Sequence, residues 1–240
     1  MLNFAVLKQD YIISRRTLLV CGVLQILSLI LAAVIRNLRL IQIADVFFDT
    51  LPVVVIPMIM QIVLVYEVVR RQDMDTTMQL ILSTGISPSQ VITTKIIFLL
   101  LNNLLLFTCS MLFGCVAHVY DLTGVWHQDT YIILNLGGMC LQVFTGGWCF
   151  LAACVKKPPK SHFYEAAAGI LLVLYLVYLA YYLVPGLFFL KYFTVFSLFS
   201  QEMFAKGSLG AFVTSLIFAV LGAVCFLAGK YLFCSRGGAL

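Results

Sequence analysis

The stretch EVVRRQDMDTTMQLILSTGISPSQVITTK, residues 67–95, concentrates charge in a chain that is otherwise nearly all apolar, and it separates two apolar runs. It opens with Glu67, Arg70 and Arg71 and continues with Asp73 and Asp75. Met74, Met78, Ile81 and Leu82 then recur at roughly helical spacing, so 72–82 reads as a short amphipathic helix. Ser83-Thr84-Gly85 breaks that pattern, because glycine accepts the left-handed turn that ends a helix. Ser87-Pro88-Ser89-Gln90 has the form of an N-cap and a first-turn proline, which starts a new helix. The predicted shape is a helical hairpin lying on a membrane surface.

The membrane follows from what flanks the stretch. Of the 240 residues 62% are hydrophobic and 10% charged, with a mean hydropathy of +1.06. An ordinary soluble domain has an apolar share nearer half. A membrane-crossing helix needs about 20 mostly apolar residues, and runs of that kind fall at 17–35, 46–66, 96–119, 131–155, 164–186 and 209–232. The expectation is an all-α integral membrane protein, one domain over 1–240 with six spans. No A-x-A-like cleavage site follows the first run, so the N-terminus is expected to be retained.

Residues 1–16 place Phe4, Leu7, Tyr11 and Ile12 on one side and Lys8, Asp10, Arg15 and Arg16 on the other, as in a short interfacial helix ahead of the first span. Pro52 and Pro57 fall in the second run, where they can kink a helix. The fourth run holds Gly137-Gly138 and Gly146-Gly147, a pattern that lets a neighbouring backbone approach closely. After Pro185-Gly186, residues 187–208 are too interrupted to span and too apolar for a free loop, so they are expected to form short external or re-entrant helices.

Placing the N-terminus in the cytoplasm puts eleven of the fifteen Lys and Arg inside, with Arg36, Arg39, Lys191 and Lys206 outside. That asymmetry predicts both termini and the 67–95 stretch on the cytoplasmic side. The formal net charge of +5 then reflects basic residues near anionic headgroups, and no segment has the basic-aromatic mixture of a nucleic-acid surface.

Most of the eight cysteines sit in or beside apolar runs without C-x-x-C or zinc-like spacing, and they read as small hydrophobes between helices. The sequence has no phosphate-binding loop, no H-E-x-x-H and no G-x-S-x-G, and its histidines, His118, His127 and His162, are scattered near span ends. No catalytic residue, bound cofactor or metal is therefore expected. Glu67-Val68-Val69-Arg70-Arg71 approaches the paired-glutamate pattern of a glutamate-type intramembrane protease, but Tyr66 stands where the first glutamate would be. Among the polar groups within the spans, Asn102, Asn103, Tyr175 and Tyr178 are the candidates for lining a path, the alternative being that they pack helices together.

A glutamate closing the second span, a short polar helix and then LILSTGISPSQVITTK entering the third span together resemble the permease subunits of type-2 ATP-binding-cassette exporters. Leu80 to Pro88 corresponds to that family's L-L-S-T-P-I-S-R core and Lys95 to its lysine leading into the third span. Gly85 stands where proline is usual, Pro88 where a basic residue is common, and Asp75-Thr76-Thr77 replaces a glycine-threonine pair. The order of an amphipathic elbow, six spans and external helices between the fifth and sixth is similar over the whole chain.

The resemblance implies a non-catalytic permease in a cell membrane that exports an amphipathic or hydrophobic substrate, a peptide being favoured, as in resistance to antimicrobial peptides. It implies a separate ATPase subunit holding ATP and Mg, and a second permease chain, identical or related. Residues 67–95 become the coupling segment, with Met74, Met78 and Leu82 as apolar anchors in the ATPase and Arg70, Arg71, Asp73 and Asp75 setting register. Glu67 precedes this segment, and Ser83, Gly85 and Pro88 form its bend. The competing classes are a transporter or channel that works without an ATPase, which ordinarily carries charge near mid-membrane, and the glutamate-type protease.

Overall fold

The computed structural model describes residues 2–37, 46–75, 77–119, 128–155, 162–183, 189–190, 194–198 and 209–237. Among these residues there are helices and turns and no strand. The principal helices are α1 (Phe4–Asn37), α2 (Ile56–Val65), α3 (Thr77–Ser83), α4 (Pro88–Val119), α5 (Gln128–Val155), α6 (Phe163–Leu183) and α7 (Leu209–Gly237). Lipid offers no partner to a bare peptide group, and a helix meets that demand within one segment.

Six helical stretches are long and apolar enough to cross a membrane: Phe4–Leu31, Leu51–Met74, Pro88–Val116, Tyr131–Val155, Phe163–Ala180 and Leu209–Ser235. The chain is a multi-pass membrane protein. The first stretch differs from expectation. Residues 1–16 form no separate helix ahead of the first span, because α1 runs unbroken for 34 residues from Phe4. Asn3 caps it, its Oδ1 accepting from the Ala5 and Val6 N–H groups at 3.0 and 3.3 Å.

Helix α1 is inside-out by the standards of a soluble protein. Its buried stripe carries Asp10, Ser14, Gln25 and Ser28, while Leu19, Val23, Leu27 and Ile30 are exposed. Lipid rewards that arrangement, since polar side chains find partners only against other helices. Helix α4 lies beside α1 in parallel. Asp10 meets Lys95 and Gln25 meets Ser110, two contacts with the same sequence offset of 85 residues.

The second crossing is not a plain α-helix. Wide π-helical turns, Val46–Val55 and Tyr66–Arg71, flank α2, and Pro52 lies inside the first. Wide turns and prolines loosen carbonyls from their usual donors, and neighbouring helices supply side chains in their place. Gln25 Nε2 donates to the Pro52 carbonyl at 2.8 Å and also to Ser110 Oγ. Gln142 Nε2 donates to the Val54 carbonyl at 3.1 Å, and Tyr164 O–H donates to the Ile62 carbonyl.

Helices α5 and α7 approach most closely through glycine. A Cβ on Gly222 would stand 2.6 Å from the Val143 carbonyl, and one on Gly147 would stand 2.6 Å from the Gly222 carbonyl oxygen. Of the paired glycines of the fourth run, Gly147 brings backbone to backbone with α7, whereas Gly138 and Gly146 make room for the Val53 and Gln61 side chains of the second crossing. The ring pairs Phe144–Phe218 and Phe150–Phe226 pack along the α5–α7 seam. Cys21, Cys109, Cys140, Cys149, Cys225 and Cys234 are free thiols.

Residues 120–127 and 156–160 lie outside the described residues, as does most of the expected external segment 187–208. Of the last, the short 3₁₀ turn Val195–Leu198 places Phe196 edge-on against Tyr175, with ring centres 5.6 Å apart.

Candidate functional site

The 67–95 stretch does form a hairpin between two membrane-crossing helices, but its parts are divided differently from the sequence reading. The expected single helix over 72–82 is two pieces. The second crossing continues through a short turn Gln72–Met74, the chain turns at Asp75, and α3 begins at Thr77. The bend matches expectation closely. Gly85 has φ +82°, in the left-handed region that L-residues avoid. Its N–H donates to the Leu82 carbonyl at 3.2 Å, and that of Thr84 to the Ile81 carbonyl at 3.3 Å. Ser87 Oγ then accepts from the Gln90 N–H at 3.3 Å, capping α4 ahead of the half-buried Pro88. Ser83 is exposed and turns its hydroxyl back to the Leu80 carbonyl at 2.8 Å.

Beneath the hairpin is a buried polar anchor. Lys95 Nζ donates to Asp10 Oδ1 at 2.8 Å, to Gln72 Oε1 at 2.8 Å and to the Val68 carbonyl at 2.9 Å. Gln72 Nε2 closes the network on Asp10 Oδ1 at 2.8 Å. An ammonium has three protons to give, and here all three are placed. The network ties α1, the end of the second crossing and the start of α4 to one point. Lys95 thus does more than lead the chain back into the membrane.

Further ties surround the anchor. Thr17 Oγ1 donates to Glu67 Oε1 at 2.9 Å, so Glu67 serves as a link between α1 and the second crossing. Arg70 Nη2 lies 3.5 Å from Glu165 Oε1, joining the hairpin root to the start of α6. The Asn3 N–H donates to Thr94 Oγ1 at 3.1 Å and fastens the tip of α1 to α4.

Burial reassigns several of the expected docking residues. Met78 is 2% exposed and belongs to the chain's own core, and Leu82 is half-buried against that core, so neither presents a free apolar face. Arg70 is 3% exposed and engaged with Glu165, which makes it a root residue instead of a rim charge. Met74 at 38% and Leu80 at 65% are the large apolar side chains that the hairpin does expose. Arg71 and Asp75 stand beside them as an exposed i,i+4 pair at 3.4 Å, and Asp73 is half-buried.

The four intramembrane polar candidates separate in the same way. Asn103 Nδ2 donates to the Met139 carbonyl of α5 at 3.3 Å, a link between helices. Its neighbour Asn102 returns to the Phe98 carbonyl of its own helix at 2.7 Å. Tyr175 and Tyr178 are buried side by side, ring centres 6.1 Å apart. The structure does not bring the asparagines and the tyrosines to one surface.

Asp10, Thr17, Gln72 and Glu165 complete the site without a role in the sequence reading, where Leu80 stands only within the family-like core 80–88. One signal was available for the central pair. Asp10 and Lys95 both stand near the beginnings of odd-numbered crossings, which start on the same side of the membrane, so both charges fall at similar depth.

Among the described residues there is no cluster of three or more His, Cys, Asp or Glu that could hold a metal ion. Comparison with protein-family models, with curated proteins and with solved structures finds no match to this chain.

Proposed function

We propose that the chain is the membrane subunit of an ATP-driven exporter, in which a separate ATPase docks on the 67–95 hairpin and moves the bundle through it. The observation carrying this reading is the buried anchor. Lys95, Asp10 and Gln72 join the hairpin to α1 and α4 through short polar contacts, so a force applied at the hairpin reaches three membrane helices without being lost in a flexible linker. Leu80 and Met74 are exposed apolar side chains of the hairpin and Arg71 and Asp75 exposed charges of the same segment, the residue types from which a docking patch is built.

In this reading the hairpin and both termini face the cytoplasm of a cell-membrane protein, and a second permease chain completes the path. ATP and Mg bind the partner ATPase. Apolar walls and the absence of mid-membrane charge favour an amphipathic substrate, with a membrane-active peptide first among the candidates, moved outward. The test is whether a neighbouring gene encodes an ATPase that co-purifies with the full chain, together with the rate of ATP hydrolysis. Leu80→Asp should abolish both association and stimulation while the melting temperature of the permease is kept. An ATPase that still binds and is still stimulated by the Leu80→Asp, Met74→Asp double variant overturns the proposal.

A further inference from the structure

The outer side of the α1–α4 pair carries a groove that the anchor does not use. Two cavities of about 690 and 250 Å³ lie along it and share Tyr11, Asn102 and Leu105, which places them next to each other along one groove. Its walls are apolar, with Leu7, Leu18 and Ile26 from α1 facing Phe98, Leu101 and Leu105 from α4. From Phe98 to Cys109 the groove runs about 16 Å along α4, close to the ~15 Å depth of one hydrocarbon leaflet.

The same groove carries two basic residues, both in the N-terminal half of its α1 wall. Lys8 lines the larger cavity and Arg15 the smaller. They are seven residues apart on one helix face, about 10 Å along the axis, with Tyr11 between them. Neither is ion-paired among the described residues, where the pairs are Arg70–Glu165, Arg71–Asp75 and Lys95–Asp10.

We infer that this seam is a binding site for one anionic phospholipid, its headgroup phosphate held between Lys8 and Arg15 over Tyr11 and one acyl chain lying in the α1–α4 groove. Charge selects the occupant. A zwitterionic lipid brings a cation of its own to a site that already holds two, whereas an anionic headgroup brings a net negative charge that both attract. The lipid would brace α1 from outside at the level where Asp10 and Lys95 brace it from within. The inference needs only that the bundle lies in a bilayer, so it stands or falls apart from the exporter reading.

The test uses the full-length chain purified in mild detergent, mixed with equal amounts of phosphatidylglycerol and phosphatidylcholine and weighed by native mass spectrometry. Phosphatidylglycerol should be retained in preference by about fivefold for each engaged cation. Lys8→Gln with Arg15→Gln should erase the preference, and Leu105→Trp, which fills the groove, should lower retention of both lipids. Arg16→Gln, exposed beside Arg15 but outside the groove, should change nothing. Equal retention of the two lipids by the unaltered chain overturns the site, as does an Arg16→Gln effect matching that of Arg15→Gln, which would mean general surface attraction. A lipid-free dimer that cross-links through Leu101→Cys would assign the seam to a second copy and also overturn it.

Discussion

Lys95 Nζ and Asp10 Oδ1 stand 2.8 Å apart with both side chains fully buried, joining two helices whose residues are 85 positions apart in sequence. A buried ion pair of this kind is costly to break from one side, because the remaining charge is left in the interior without its partner, at about 3–5 kcal/mol. Lys95→Met and Asp10→Leu should each lower stability by about that much, and the double variant by clearly less than the sum. Cys21, Cys149 and Cys154 are buried, so a thiol-reactive dye can follow melting in detergent. Strictly additive losses would show that the pair does not hold the helices together.

The hairpin offers a sharper contrast between two residues a single position apart from sharing a face. Met78 lies in the core and Leu80 is largely exposed. Met78→Asp places a carboxylate in an apolar interior and should cost more than about 2 kcal/mol. Leu80→Asp should stay within about 0.5 kcal/mol, as surface changes usually do. Arg71→Ala removes only an exposed pair and should cost less than about 1 kcal/mol. Similar melting temperatures for the Met78 and Leu80 variants would contradict the placement of α3.

Close approach at Gly222 makes a third prediction. A methyl group there would meet the Val143 carbonyl at 2.6 Å, and backbone cannot step aside as a flexible side chain can. Gly222→Ala should therefore lower the melting temperature by separating α5 from α7. Gly169, on α6, has nothing within 4 Å of the corresponding position. Gly169→Ala should be neutral or stabilising by up to about 1 kcal/mol, since alanine is the better helix former. The two substitutions are the same in chemistry, and a loss of equal size at both would remove the packing argument.

The six crossings were legible because lipid imposes a length and an apolarity that any 20-residue window reveals, and the hairpin bend because Gly85 and Ser87-Pro88 carry local turn and cap chemistry. The partners of those elements were not. Lys95 reads locally as a surface lysine at the mouth of a helix, and only the parallel packing of α4 on α1 brings Asp10 to it. The amphipathic pattern of 72–82 groups Met74 with Met78, Ile81 and Leu82 on one face, yet the turn at Asp75 splits that helix, leaving Met74 and Leu80 exposed and Met78 and Ile81 buried. The start of α1 differs for a related reason: Asp10 reads with Lys8, Arg15 and Arg16 as the polar side of an interfacial helix, whereas it lies with Ser14 on the buried side of a membrane helix.

The last prediction concerns the proline-containing crossing, where a missing donor is replaced from another helix. In a π-helical register the carbonyl of Pro52 would accept from the N–H five residues on, and that residue is Pro57, which has none. Gln25 Nε2 fills the vacancy at 2.8 Å. Gln25→Leu should then leave a buried carbonyl without a donor and cost about 1–3 kcal/mol. Pro57→Ala restores an N–H at the right place, so the double variant Gln25→Leu, Pro57→Ala should recover part of the stability that Gln25→Leu loses. Recovery is measured in the same dye-detected melt, relative to Pro57→Ala alone. If Pro57→Ala deepens the loss instead, Gln25 is holding α1 to α4 through Ser110 and the carbonyl at Pro52 is of no consequence to it.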